Sequence, residues 1–149
     1  MRLPLDHLDR DDLKRAQRDA ARCVSLFQQV VTRHGSLVQA FVRGAPVAAH
    51  EHYPPGDVID VRHGFQCFYH SHRGGSVEHG HLHLFRRAVP DARDSTPGHL
   101  IAIGLDARGL PVSMFTVNQW VTGGAWRDAR ATIAALETAR FDAARGHAL

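Results

Sequence analysis

Apolar residues in the first quarter of the chain recur at helical spacing. Leu13, Ala16, Ala20, Cys23, Phe27 and Val30 make one stripe, which predicts a long amphipathic helix over residues 8–33 with Cys23 buried on it. Asp9, Asp11 and Asp12 sit at its start, where the helix dipole favours negative charge. Gly35 is placed to end it. A short second helix is expected over residues 37–43, closed by Gly44. Residues 44–64 carry Pro46, Pro54, Pro55 and Gly56 and read as loop, with a short strand over 58–61.

From residue 65 the period changes from helical to two. Strands are expected over 65–72, 79–86, 99–105 and 111–117, with turns at Arg73-Gly74-Gly75-Ser76 and Asp106-Ala107-Arg108-Gly109. After Gly123-Gly124 a final helix is expected over 126–145. The expected fold is therefore α+β: an antiparallel sheet of about four to five strands with the long N-terminal helix and the C-terminal helix packed on one face. The chain shows no repeat and no interdomain linker, so its 149 residues read as one domain with an ordered core of about 8–146.

Composition narrows the function classes. With 44% hydrophobic and 22% charged residues, the chain has ordinary globular proportions. No apolar run approaches the roughly 18 residues of a membrane helix, and Met1-Arg2-Leu3-Pro4-Leu5-Asp6 has no signal-peptide core. Two distant cysteines, Cys23 and Cys67, exclude a disulfide framework, and a reducing cytoplasm is expected. The net charge is +3, but bases alternate with Asp and Glu all along the chain. A nucleic-acid site needs clustered charge, so neither nucleic acid nor a membrane is expected as partner.

Histidine is the anomaly. There are twelve, and eight of them fall between His50 and His83. In a strand, side chains alternate faces, so His70 and His72 share one face of the first hairpin strand. His79, His81 and His83 share one face of the returning strand, while Leu82 and Leu84 point the other way. A tight Gly74-Gly75 turn pairs His70 with His79, whereas a longer loop over residues 73–78 pairs His72 with His79 and His70 with His81; the longer loop is preferred because it makes a compact square of imidazoles. Imidazole suits Fe, Cu, Ni and Zn, and His-X-His facing His-X-His-X-His offers several ligands to one ion. A surface strand with pH-sensitive or stacking histidines is the alternative. No cysteine accompanies the cluster, which argues against a structural zinc knot.

Other residues extend this site. His50 and His52, on a Pro-flanked loop, either cap the site and supply a ligand or stand exposed. Glu78 is a candidate oxygen ligand or general base, and otherwise a turn carboxylate. Arg73, beside two glycines, is a candidate for binding an anionic substrate group. Asn118 and Trp120 are candidates for a pocket mouth, although Trp120 reads more simply as packing against the C-terminal helix. His63 and His99 read as ordinary strand-end histidines.

Gly64, His70-Ser71-His72 and Glu78 resemble the first metal motif of cupins in their chemistry. The spacing from His72 to Glu78 is one residue longer, and no second motif with its own His follows. The segments Glu51-His52-Tyr53-Pro54, Tyr69-His70-Ser71-His72-Arg73, Glu78-His79-Gly80-His81-Leu82-His83 and Phe115-Thr116-Val117-Asn118-Gln119-Trp120 resemble an uncharacterised bacterial family, a domain of unknown function. The resemblance covers about residues 10–145 and implies a single cytoplasmic-type domain, with no substrate or mechanism attached.

Two functional readings follow. One is a small metal-dependent enzyme acting on a small-molecule substrate, of iron or copper oxygenase type or zinc hydrolase type. The other is a non-catalytic carrier or sensor of metal or haem. A four-stranded sheet leaves open edges, so either a monomer or a homodimer is expected.

Overall fold

Asp9 opens the first helix in a computed structural model of the chain. Its carboxylate accepts hydrogen bonds from the backbone N–H groups of Asp11 and Asp12, both at 2.8 Å. The structure describes residues 5–72, 77–87 and 96–139. Helix α1 runs Arg10–His34 and ends where the Gly35 N–H bonds back to the Val31 carbonyl. Helix α2, Leu37–Val42, starts at Ser36, whose hydroxyl accepts from the Gln39 N–H at 3.0 Å.

Five strands follow: β1 Tyr53–Asp60, β2 Phe65–His70, β3 Gly80–Arg86, β4 Gly98–Leu105 and β5 Pro111–Phe115. They form one sheet in chain order, every neighbouring pair antiparallel. A one-turn helix α3, Gln119–Thr122, and a helix α4, Ala129–Glu137, complete the α+β architecture. No helix among the described residues is long and apolar enough to cross a membrane.

Strand alternation divides the sheet into two unlike faces. Val58, Cys67, Tyr69 and Leu105 bury one face against Val38, Phe41 and Val42 of α2, with Leu82, Leu84 and Ile103 packed around them. This is the hydrophobic core, and burying side chains of this size supplies roughly 1.5–3 kcal/mol each. The loop before β1 is tied down from the same side. The Tyr53 hydroxyl donates to the Pro46 carbonyl at 2.9 Å and accepts from the Ala48 N–H at 2.8 Å.

Four local expectations are corrected. β1 begins at Tyr53 rather than near residue 58, because it is an edge strand, where Pro54 and Pro55 are tolerated, and its register breaks between Tyr53 and Val58. The last helix begins at Ala129, behind the Asp128 cap, and not at 126; the part expected beyond residue 139 lies outside the described residues. The α1 stripe is present but bare: α1 holds no buried residue, its extensive packing is against α2, and Cys23 is exposed. Trp120 is likewise 82% exposed, not packed on the C-terminal helix.

Candidate metal centre

The β2–β3 register places the histidines. His70 pairs with His81 and Phe68 with His83, which is the register expected for a hairpin loop over residues 73–78. Directly paired residues share a face, so these rings stand opposite Cys67, Tyr69, Leu82 and Leu84. His72 lies just past the end of β2 on the same side. His70, His72 and His81 each bring one ligand nitrogen within 4.8 Å of the other two. A tetrahedral ion with bonds of about 2.1 Å asks for ligand atoms roughly 3.4 Å apart, which modest ring rotation reaches from this starting point. The triad can therefore hold a metal ion.

Two of these rings are oriented by neighbours. The Nδ1 of His81 lies 2.6 Å from Glu78 Oε1, a close polar contact without good hydrogen-bond geometry. It occupies Nδ1 and leaves Nε2 as the ligand atom, the usual arrangement for a histidine held by a carboxylate. The second oxygen of Glu78 accepts from the Ser113 hydroxyl at 2.8 Å. Gly104, opposite His81 on β4, makes this possible: a Cβ there would overlap both Glu78 Oε2 and Ser113 Oγ. The Nε2 of His70 lies 3.1 Å from Nε2 of His83, and His83 Nδ1 lies 3.1 Å from Nε2 of His99. Three imidazoles thus form a connected row leading from the triad into the sheet.

The loop before β1 closes one side. The His50 N–H donates to the Ser71 carbonyl at 2.8 Å, and the His50 ring stands edge-on to His72 with centroids 4.9 Å apart. His52 stacks on Phe68 at 3.6 Å between centroids, and its Nδ1 lies 3.0 Å from Asp57 Oδ1. Gln66 donates to the other Asp57 oxygen at 2.6 Å and accepts from the buried Arg87 at 2.7 Å. A polar chain therefore fixes the outer histidine from within the fold.

Burial sets the protonation of the inner rings. It lowers the His83 pKa to about 3, reinforced by the possible charges of His70, His99, His81 and His52. Burial and the neighbouring His72, His81, His52 and His50 lower His70 to about 4. Burial also lowers His81, against the opposing pull of Glu78, and it lowers His99. The inner rings are thus neutral at neutral pH, the form that binds metal. A cavity of about 360 Å³ opens beside the triad. Its apolar walls include Phe68, Phe85, Phe115, Val117 and Val121.

His70, His72, His81, His83, His50 and His52 thus stand together, with Glu78 against His81. His79 does not join them. Its Nδ1 meets the Tyr69 hydroxyl and its ring stacks on Tyr69, which belongs to the opposite, core-forming face. Gly80 permits that turn, since a Cβ there would strike the Tyr69 ring. Arg73 lies outside the described residues. The pocket wall after β5 is made by Val117, Val121 and Thr122, not by Asn118 and Trp120.

His99 and Asp57 also belong to the site. His99 reads as a strand-end residue, yet it closes the imidazole row. Asp57, inside β1, holds His52. The acidic residue five positions after His52 was the only signal for the second. Comparison with curated proteins and with solved structures finds no significant match. The family model described as domain of unknown function DUF6969 matches residues 17–149, and the chain belongs to that family.

Proposed function

We propose that this protein is a small mononuclear metalloenzyme. His70, His72 and His81 hold a transition-metal ion and leave positions open toward the adjoining cavity. The observation that carries this reading is the placement of three mutually close imidazole nitrogens beside an apolar-walled cavity of about 360 Å³. That volume and lining suit a small organic substrate with few polar groups. Three imidazoles with an open position accept iron, copper or zinc alike, so both an oxygenase-type and a hydrolase-type centre fit this ligand set. A bound iron or copper ion supplies redox chemistry there, and a zinc ion supplies Lewis acidity.

The chain's own residues do the rest. Glu78 fixes the His81 ring, the His83–His99 pair backs His70, and the phenyl rings of Phe68, Phe85 and Phe115 exclude water around a bound substrate. A carrier is the second reading, favoured by the exposure of His72 with His50 against it at the solvent edge, where an ion could be passed on.

Elemental analysis of untagged protein, loaded in turn with Fe(II), Cu(II) and Zn(II), tests the site. One tightly held ion per chain is expected, lost in a His72→Ala/His81→Ala double variant whose circular dichroism is unchanged. Failure of the wild-type chain to retain any of the three ions, or full retention by the double variant, overturns the reading. Release to a chelator separates the two functions: slow release supports the enzyme, and complete release within mixing time supports the carrier.

A further inference from the structure

Helix α1 carries a second pattern besides its broad stripe. Leu13, Gln17, Ala20, Val24, Phe27 and Val31 alternate at spacings of four and three, the seam of a coiled coil. Ala16, Cys23 and Val30 widen that seam on one flank, and Lys14, Ala21 and Gln28 line the other. Among the described residues, nothing buries this seam along its length. Val24 at its centre is 58% exposed and Leu13 is 40% exposed, and among its members only Phe27 is even half-buried. Burial of a long amphipathic helix is what normally stabilises it, so a bare seam of this length asks for a partner.

The sequence of the seam identifies the partner. Laid antiparallel on a second copy, it is complementary to itself under one two-fold axis. Leu13 meets Val31, Gln17 meets Phe27, and Ala20 meets Val24. On the flanks Ala16 meets Val30, Lys14 meets Gln28, and Cys23 and Ala21 meet their own counterparts at the axis. Between Leu13 and Val31 no like charges face each other. Arg22, the charged residue nearest the axis in sequence, points to the opposite side of the helix. The small Ala20 and Ala21 at the crossing allow close approach. The seam from Leu13 to Val31 is about 27 Å long. A paired seam of that length buries roughly 1,000 Å², the lower bound for a specific interface.

We propose that α1 is the interface of a homodimer, formed by antiparallel pairing of this helix with the same helix of a second copy. The pairing is isologous and closed, so it stops at two chains. It lies away from the histidine face and is independent of metal.

Sedimentation equilibrium of the full chain over a concentration series tests this. Twice the 16.5 kDa chain mass is expected at high concentration. Val24→Arg should give the monomer mass with unchanged circular dichroism, while Arg22→Glu on the opposite side should leave the dimer intact. A short bis-maleimide should link Cys23 to Cys23 of the partner subunit, since Cys67 is buried. A monomer mass throughout the series overturns the proposal. So does a dimer that survives Val24→Arg, or monomeric wild-type chain that binds anionic vesicles through α1.

Discussion

The two faces of β2 and β3 are built from alternate residues of the same short segments, yet they differ in almost every physical respect. One face carries Cys67, Tyr69, Leu82 and Leu84 under α2. The other carries Phe68, His70, His81 and His83 beside an open cavity. On the first face burial stabilises the fold, and it also pushes the Cys67 thiol up to about 12, leaving it inert. On the second, burial lowers His70 and His83 and keeps their nitrogens neutral. The same desolvation silences a thiol and prepares an imidazole, because it disfavours the anion of one and the cation of the other. Fold and chemistry are thus separated by one residue of strand parity.

The sharpest way to break this comparison is to damage each face in turn. Leu105→Ala removes a side chain that is 1% exposed in the core under α2. It should lower unfolding free energy by about 2–5 kcal/mol in denaturant titration. Metal bound per folded chain should stay unchanged. His72→Ala, at an exposed position, should shift stability by no more than about 0.5 kcal/mol. It should nonetheless weaken metal retention severely. If Leu105→Ala released the ion from folded protein, or His72→Ala unfolded the chain, the two faces would not be separable.

An intermediate effect is expected where a backbone position on the histidine face acts through another residue. Gly104→Ala places a Cβ on the Glu78 carboxylate and the Ser113 hydroxyl. The carboxylate must leave, and His81 loses the group that orients it. Metal affinity should fall about 10–100-fold, the usual cost of losing such a partner. Glu78→Gln should reproduce most of the loss with no steric change. Competition titration against a chromogenic chelator measures both. Full affinity in Glu78→Gln would mean that the 2.6 Å contact does nothing for the ligand.

Much of this site was legible in the sequence because it obeys the period of two. Leu82 and Leu84 mark the face of β3 that packs on the core under α2, and that fixes His81 and His83 on the other. A hairpin loop over 73–78 then brings His70 opposite His81, as found. The departures share one cause, which is that parity fails wherever a strand is irregular. By simple alternation His99 belongs with Ile101 and Ile103 on the core side. A register shift between Leu84 and Phe85 puts it opposite Phe85 instead, on the histidine face. In β1 a similar shift lets Tyr53 and Val58 share the core. Bulges leave no periodic signal, so residues beside them are read onto the wrong face. The loop histidines were legible only as alternatives, since what places His50 is a backbone bond to Ser71 and no pattern in the chain.

His79 supplies the smallest expected effect and the finest test of parity. It belongs by alternation to the row of His81 and His83, and a sequence reader assigns it to the metal. Its ring instead meets the Tyr69 hydroxyl on the core side, at the point where the chain enters β3. His79→Phe keeps a ring able to stack on Tyr69 and removes its hydrogen-bond partner. Tyr69 is fully buried and its hydroxyl keeps Ser71 beside it, so losing the His79 partner should cost about 0.5–1.5 kcal/mol. Metal affinity should not change beyond the error of the titration. A drop comparable to that of Glu78→Gln would place His79 among the ligands. It would then follow that the entry to β3 turns over when the ion binds, joining the two faces that the rest of the sheet keeps apart.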